Sequence, residues 1–240
     1  MIPAMAQESE DDEVPPRRGE VRLPAAVATL AAIALYAALP NELLIGGRIV
    51  LPVLEVALLI ALVAANPHRM TRENRLLRLL SVGLAVLIVA ANLVALIVLV
   101  QALISGEATE GKTLLLAAGQ VWATNVIAYG LLFWELDRGG PVRRQVTKRK
   151  ELPDADFRFP QDEDHDTVVE VARGSSIQGN WVPAFLDYLY LSCTNSSAFS
   201  PTDTMPLSSR AKLLMMAEST SALLISVLVI ARAVGALQPS

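Results

Sequence analysis

Cysteine, histidine and aromatic residues are scarce in this 240-residue sequence. It contains one cysteine, Cys193, and two histidines, and aromatic residues make up 5% of the chain. A lone cysteine excludes an intrachain disulfide, and no CxxC motif or cysteine and histidine cluster of the zinc-binding kind occurs. Phosphate-binding glycine loops and the GxSxG and HExxH motifs are also missing. We therefore predict a protein that is not an enzyme and that carries no cofactor or metal.

The apolar residues, 53% of the chain, are collected into long blocks of leucine, alanine, valine and isoleucine. The blocks run for about 20 residues, the length at which a helix crosses about 30 Å of hydrocarbon. A soluble domain would interrupt such blocks with turns and polar faces. The sequence therefore predicts an all-α, polytopic protein that spans the lipid bilayer about five times, with a re-entrant hairpin before the last span.

The composition divides the chain into four predicted regions. These are a disordered polar tail at 1–22, a four-helix transmembrane region at 23–136, a polar loop at 137–182, and a hairpin with the last span at 183–240. The tail is too poor in apolar residues to offset its ordering entropy. The predicted spans cover residues 23–39, 49–65, 79–104, 114–134 and 213–234. Trp134, at the end of the fourth span, fits an interfacial anchor.

Lysine and arginine residues are distributed unequally beside the spans. Three lie in the tail, four between the second and third spans, and six at the start of the polar loop, whereas only Arg48 and Lys112 flank the other side. The positive-inside rule places the richer side in the cytoplasm. We expect a plasma (cytoplasmic) membrane protein with a cytoplasmic N-terminus. Nucleic acid is not an expected partner, because no aromatic or motif support accompanies the basic residues.

A half-length apolar stretch, residues 185–199, precedes the last span and is followed by a polar turn. This order is typical of a re-entrant hairpin, in which irregular backbone at membrane depth is surrounded by protein or by a water-filled cavity. The alternative is a short true span at 184–199, which would raise the count to six. Asp187 and the polar run at 192–197 favour the hairpin.

This segment resembles the pore region of two-span potassium channels. In that family a pore helix of the type D-x-L-Y-x-S leads into a T-V-G-Y-G-D filter, and a proline and the inner helix follow. The matching positions are Asp187, Leu189, Tyr190 and Ser192 in the pore helix, Asp203 at the end of the filter and Pro206 after it. The segment also resembles a group of bacterial membrane proteins of undefined function that end in a D-x-x-Y-x-S…S-x-D…S-R block.

The filter itself differs from that of the potassium channels. Its six positions are occupied by Ala198, Phe199, Ser200, Pro201, Thr202 and Asp203. Both glycines are replaced, and other residues do not readily adopt the backbone angles that aim successive carbonyls at the ion. Potassium selectivity is therefore not expected. The charge count also places this hairpin on the cytoplasmic side, opposite to the pore loop of that family.

Two functions from different classes are consistent with the hairpin. The first is an ion channel or ion-permeation protein for monovalent cations, of unknown selectivity, which would be a homo-oligomer because a single hairpin cannot enclose an axis. The second is a non-conducting scaffold, sensor or regulatory subunit in which the hairpin only packs against the last span. The residues expected to line a pore are Thr194, Ser197, Ala198, Phe199, Ser200, Pro201, Thr202 and Asp203.

Carboxylates within the apolar segments are functional candidates, because a charge is costly there. Asp187 and Glu218 would tune the charge of a pore, and Glu218 resembles the acidic residue that many two-span channels carry in the inner helix. Alternatively, Glu218 snorkels or pairs with a nearby cation, either Arg210 or Lys212. Glu55 lies about 10 Å into the second span. It either handles an ion or proton or is a neutral carboxyl bonded to Asn92, Gln120 or Asn125.

Overall fold

The computed structural model of this chain describes residues 19–44, 48–72, 74–105, 111–163, 168–176, 179–197 and 203–236. The helices in chain order are α1 Leu23–Ala37, α2 Val50–Ala65, α3 Arg75–Ser105, α4 Gly111–Leu136, α5 Pro141–Val146, α6 Val169–Ala172, α7 Phe185–Ser197 and α8 Ser209–Ala236. Two short strands, β1 Phe157–Arg158 and β2 Met205–Pro206, pair antiparallel. The five long apolar helices begin and end within about four residues of the predicted spans, because the apolar runs themselves set the helix bounds.

Within the described residues, three helical segments are long and apolar enough to cross a membrane. They are Arg75–Ile104, Lys112–Gly139 and Ser209–Ala231. The other two apolar helices, α1 and α2, contain 15 and 16 residues. Both are shorter than the roughly 20 residues that usually span the hydrocarbon core. The predicted apolar helices are thus all present, and three of the five have full spanning length.

Helix α4 lies at the centre of the bundle and packs against α1, α3, α7 and α8, while α2 packs against α1 and α3. Small residues on α4 allow this close packing: Ala117 and Ala128 are fully buried. At Gly130 an added Cβ would lie 3.2 Å from the Leu189 Cα of α7. Small side chains of this kind let helices approach closely inside a membrane, where packing rather than exclusion of water drives helix association.

The outer surface of the bundle is as apolar as its interior. Leu79 and Ile104 on α3 are 69% and 73% exposed, and Leu213 and Ile230 on α8 are each 60% exposed. A soluble protein rarely leaves such continuous apolar faces in water. Exposed leucine and isoleucine along long helices are instead what a lipid environment favours.

The N-terminal segment, the α2–α3 loop and the end of α4 meet at one end of the bundle, which we call the polar end. The amide of Met70 donates to the Glu20 carbonyl over 3.0 Å, and Val21 forms an isolated β-bridge with Arg69. Arg78 Nη2 donates to the Glu135 carbonyl over 2.8 Å. Residues 19–22, which we assigned to the polar tail, are therefore built into the fold; residues 1–18 lie outside the described part of the chain.

Helix α7 begins at the polar end, and the chain is again at the polar end at β2, after the undescribed residues 198–202. The amide of Phe185, the first residue of α7, donates to the Glu20 carboxylate over 2.7 Å. After the hairpin, Pro206 pairs with Phe157, and the amide of Leu207 donates to the Asp156 carbonyl over 2.7 Å. Because α7 has 13 residues, it extends for about 20 Å. The chain therefore enters the bundle, turns and leaves at the end where it entered.

Candidate functional site

A buried carboxylate on α8 is enclosed by polar side chains of α7. Glu218 lies nine residues after Ser209, about 14 Å into the bundle at 1.5 Å per residue. It has no exposed surface. Three residues of α7 point at the carboxylate. Ser192 lies three residues before Asn195 and four before Ser196, so their side chains share one face of the helix. We call this group the hairpin cluster; it consists of Glu218, Ser192, Asn195 and Ser196.

Every oxygen of the Glu218 carboxylate accepts a hydrogen bond within the hairpin cluster. Asn195 Nδ2 donates to Oε2 over 2.6 Å, and Ser196 Oγ donates to Oε1 over 3.0 Å. The Ser192 hydroxyl also donates to Oε1, and it lies 2.7 Å from the carbonyl oxygen of Val126 on α4. Several donors thus bind one carboxylate, which fixes α7 against α8 at a defined depth.

Two asparagine side chains extend this network to α4 and α3. Asn125 Nδ2 lies 3.4 Å from the Glu218 carbonyl and donates to it, and Asn92 Nδ2 donates to Asn125 Oδ1 over 3.1 Å. The pairing of Glu218 with Arg210 that we considered is not what forms. Arg210 instead binds Asp156 with two hydrogen bonds of 2.7 and 2.5 Å. Within the described residues no group of three or more metal-ligating side chains could hold a metal ion.

The structure places the predicted pore-lining residues on the outer side of α7 or beyond it. The hydroxyls of Thr194 and Ser197 donate to carbonyls of their own helix over 2.8 to 3.0 Å. Asp203 is exposed, two residues before β2. The predicted filter residues 198–202 lie outside the described residues. Among the described candidates, none joins the hairpin cluster except Glu218.

The two remaining predicted carboxylates have separate surroundings. Asp187 is half-buried and accepts a hydrogen bond of 2.8 Å from the Ala184 amide, so it caps the first turn of α7. Glu55 on α2 is 2% exposed and interacts electrostatically with Tyr36 of α1. Two of the amides proposed as its partners, Asn92 and Asn125, bind each other instead. Asp187 therefore has a local structural role, and the function of Glu55 stays a prediction.

The chain matches no protein-family model, no curated protein and no solved structure. The resemblance to two-span potassium channels therefore stays a prediction from the residues that carry it. The same holds for the resemblance to the bacterial membrane proteins. What the site does must be argued from its own geometry.

A second cluster, at the polar end, joins α4 to the hairpin and centres on Asp137. Its side chain is fully buried. Oδ2 accepts a hydrogen bond of 2.5 Å from the Tyr188 hydroxyl of α7, and Oδ1 accepts one of 2.7 Å from the Asp156 amide. Arg138 Nε lies 3.7 Å from the same carboxylate. Asp137 thus links the end of α4, the connection that follows it and the first turn of α7.

Arg144 belongs to the same cluster, and its side chain has no exposed surface. Its Nη1 donates over 2.7 Å to the carbonyl of Trp134, in the last turn of α4, and over 3.0 Å to that of Asp137, the residue after α4. Its guanidinium carbon lies 4.8 Å from the centre of the Tyr188 ring, within cation–π distance. Arg144 is one of the six basic residues counted at the start of the polar loop, and the structure buries it against the end of α4.

The sharp turn that returns Arg144 to the end of α4 depends on glycine. Gly139 and Gly140 have φ angles of 78° and 97°, in the region that disfavours side chains. At Gly140 an added Cβ would lie 1.7 Å from Nη1 of Arg78. The two glycines therefore allow the turn to be this tight.

Glu20 connects the N-terminal segment to this polar-end cluster. Besides the Phe185 amide, its carboxylate accepts the indole N–H of Trp134, 3.1 Å from both oxygens, and lies 3.7 Å from Arg144 Nη2. Burial raises the pKa of the Glu20 carboxyl and the nearby Asp187 adds to this, although Arg144 and the hydrogen bonds favour its ionised form. Trp134 is 4% exposed, so it packs inside the fold and is not the interfacial anchor that we predicted.

Proposed function

We propose that the chain is a multi-pass membrane protein with five spans and one re-entrant half-helix, and that it works as an ion-permeation protein. The observation that carries the proposal is the path of α7, which enters at the polar end and is bound inside the bundle by buried Glu218, while the chain after it is again at the polar end. Half-helices that end inside a membrane are tolerated where they are buried in protein or border a water-filled path. Channels and transporters use them to meet ions at that depth.

The membrane placement rests on the apolar outer faces and on the basic residues at one end. The polar end collects the N-terminal segment, the α2–α3 loop and residues 137–184, which together carry most of the lysine and arginine beside the spans. We place this end in the cytoplasm and the chain in the plasma membrane. The shorter helices α1 and α2 complete the five spans, since a bilayer thins locally around short helices at modest cost.

The direction of α7 favours cations over anions. Its last turn points towards the middle of the bundle, and the free carbonyls there carry a partial negative charge. One face of α7 has no partner within the described residues of the protomer; it contains Leu186, Tyr190, Cys193 and Ser197. We place the permeation path beside this face, between copies of the chain. A homo-oligomer that conducts monovalent cations follows from this placement.

A non-conducting scaffold, sensor or regulatory subunit is the second candidate. The observation in its favour is that the serine, threonine and asparagine side chains of α7 form hydrogen bonds within the chain. Ser192, Asn195 and Ser196 bind Glu218, and the hydroxyls of Thr194 and Ser197 bind their own helix. These five side chains of α7 are thus bonded within one chain, an arrangement that serves packing equally well.

A flux assay tests the proposal. Purified full-length protein in liposomes should conduct a monovalent cation, and Asp203→Asn should reduce that flux about two- to ten-fold at low ionic strength and much less at high salt. The reason is that an exposed carboxylate beside the hairpin raises the local cation concentration. Asp154→Asn is the control, since Asp154 is exposed in the connection after α4 and is not part of the hairpin.

The same samples decide between the two candidates. A monomer by light scattering in detergent, or an absence of flux from correctly oriented oligomers, would contradict the permeation proposal and leave the non-conducting one. An equal loss of flux in Asp203→Asn and Asp154→Asn would show a diffuse surface-charge effect, and the hairpin would then not border the path.

A further inference from the structure

A cleft at the polar end opens between the first four helices beside Arg22. It consists of two adjoining cavities of about 30 Å³ each, which share Arg22, Leu62, Ser81 and Glu135. Each cavity exceeds the volume needed for a single water. The cleft is lined on one side by the α2–α3 loop and on the other by the end of α4, so it lies at the level where the helices leave the apolar zone.

Arg22 is the residue that makes this cleft unusual. It is 9% exposed, and within the described residues its guanidinium forms no hydrogen bond; its charged neighbour is Glu135. The Glu135 carboxylate already accepts the Ser81 hydroxyl, and its carbonyl accepts Arg78. A nearly buried guanidinium with unused donors costs free energy unless a ligand or water completes it.

The cleft has an excess of positive charge. Of the described residues that line it, Arg22, Arg72 and Arg78 are basic and Glu135 is acidic, so basic side chains outnumber acidic ones. The backbone of Arg72 is fixed by two hydrogen bonds. The Asn66 side chain accepts the Arg72 amide over 3.0 Å and donates to the Arg72 carbonyl over 2.9 Å. The cleft is therefore a preformed cationic site.

The surroundings of the cleft indicate the class of ligand. Apolar side chains form its rim, and they are Leu62, Met70, Leu77, Pro141 and Val142. Next to it, Leu23 of α1 and Leu76 and Leu79 of α3 are 62% to 69% exposed. A guanidinium pairs with phosphate oxygens through several parallel hydrogen bonds, and apolar surface beside it accepts acyl chains. A phosphate attached to two acyl chains matches both features: its oxygens can pair with the arginines, and its acyl chains can lie on the apolar surface.

We propose that this cleft binds the phosphate of an anionic phospholipid, with Arg22 and Arg72 as its ligands. The proposal rests on the membrane placement given above and is independent of ion conduction. Phosphate is the shared chemistry of a lipid headgroup and a free phosphate ion, and the position of the cleft at the helix ends, with apolar surface beside it, favours the lipid.

The test uses full-length protein in a nonionic detergent and native mass spectrometry with added phosphatidylglycerol or phosphatidylcholine. We expect tighter binding of phosphatidylglycerol. Arg22→Gln should weaken that binding about ten-fold or more, because a charge-assisted hydrogen bond is lost, and Arg72→Gln about three-fold. Arg75→Gln should change it less than two-fold, since Arg75 is exposed on the same helix as Arg78 and does not line the cleft.

Four results would overturn the proposal. The first is phosphatidylcholine that binds as tightly as phosphatidylglycerol. The second is an Arg75→Gln variant that weakens binding as much as Arg22→Gln, which would show diffuse surface charge. If millimolar inorganic phosphate displaces the lipid completely, the ligand is a free anion. Should Arg22→Gln fail to fold, an unchanged phosphatidylglycerol affinity in folded Arg72→Gln decides against the site. Since no flux is measured, a failure here leaves the permeation proposal standing, and a failure of flux leaves this one standing.

Discussion

Replacing Glu218 by alanine is expected to lower the free energy of unfolding by about 3 to 5 kcal/mol, the largest single effect in α8. The substitution removes the acceptor that Ser192, Asn195 and Ser196 share, and it leaves a cavity where the side chain was. Ser192 and Asn195 keep the carbonyls of Val126 and Met215, whereas Ser196 loses the acceptor that it has among the described residues. Each unsatisfied buried polar group costs about 1 to 3 kcal/mol, and partial relaxation of α7 reduces the sum. Unfolding of the full-length protein in detergent micelles with increasing SDS, followed by helicity, measures the loss.

Two control substitutions show whether the loss of stability comes from the Glu218 carboxylate. Ser219→Ala changes the neighbouring residue, whose hydroxyl contacts the Met215 and Met216 carbonyls of its own helix, and should alter stability by less than about 0.5 kcal/mol. Glu218→Gln keeps the shape and one acceptor oxygen, so it should cost less than alanine. If Glu218→Ala were as stable as Ser219→Ala, α7 would not be anchored through this carboxylate.

Replacing Asp137 by alanine should be about as costly, at about 3 to 5 kcal/mol, and should also release a different part of the molecule. The Tyr188 hydroxyl and the Asp156 amide lose their acceptor, and β1 loses its attachment to the end of α4. The connection after α4 should then be cut more readily. Limited trypsin digestion at Arg158, together with the same SDS titration, measures both effects.

Asp154→Ala is the control for this substitution. Asp154 belongs to the same connection but is exposed, so its removal should leave digestion unchanged and stability within about 0.5 kcal/mol. Retained protease resistance in Asp137→Ala would show that the connection is held by its aromatic contacts alone. Those contacts place Phe157 5.1 Å from Phe133, and Phe159 5.2 Å from Tyr188, between ring centroids.

The helices could be predicted because their signals are local. A run of leucine, valine, isoleucine and alanine specifies a helix by itself, so the bounds of α1 to α4 and of α8 follow from the sequence to within a turn. The half-length run that becomes α7 carries the same kind of signal, shortened by the polar residues after Leu191. The order of the helices along the chain is then fixed, but their neighbours in space are not.

The partners of the buried charges could not be predicted, because the order of the helices along the chain does not fix which helices are neighbours in space. Glu218 has Lys212 and Arg210 nearby in sequence, and the actual donors come from another helix more than 20 residues away. Glu20 and Arg144 lie in segments whose composition is typical of solvated tails and loops, and no local pattern marks them as buried. One signal was present: Gly139 and Gly140 indicate a tight turn, which returns the chain to the end of α4.

Cysteine accessibility measures the path of the hairpin most directly. With Cys193 replaced by serine, single cysteines at Asp154, Asp203 and Lys112 are reacted with a membrane-impermeant maleimide in intact and in lysed cells. We predict that Asp154→Cys and Asp203→Cys react only after lysis, whereas Lys112→Cys reacts in intact cells. Labelling of Asp154→Cys and Asp203→Cys from opposite sides would mean that the chain crosses the membrane between them, and α7 would then be a span and not a re-entrant half-helix.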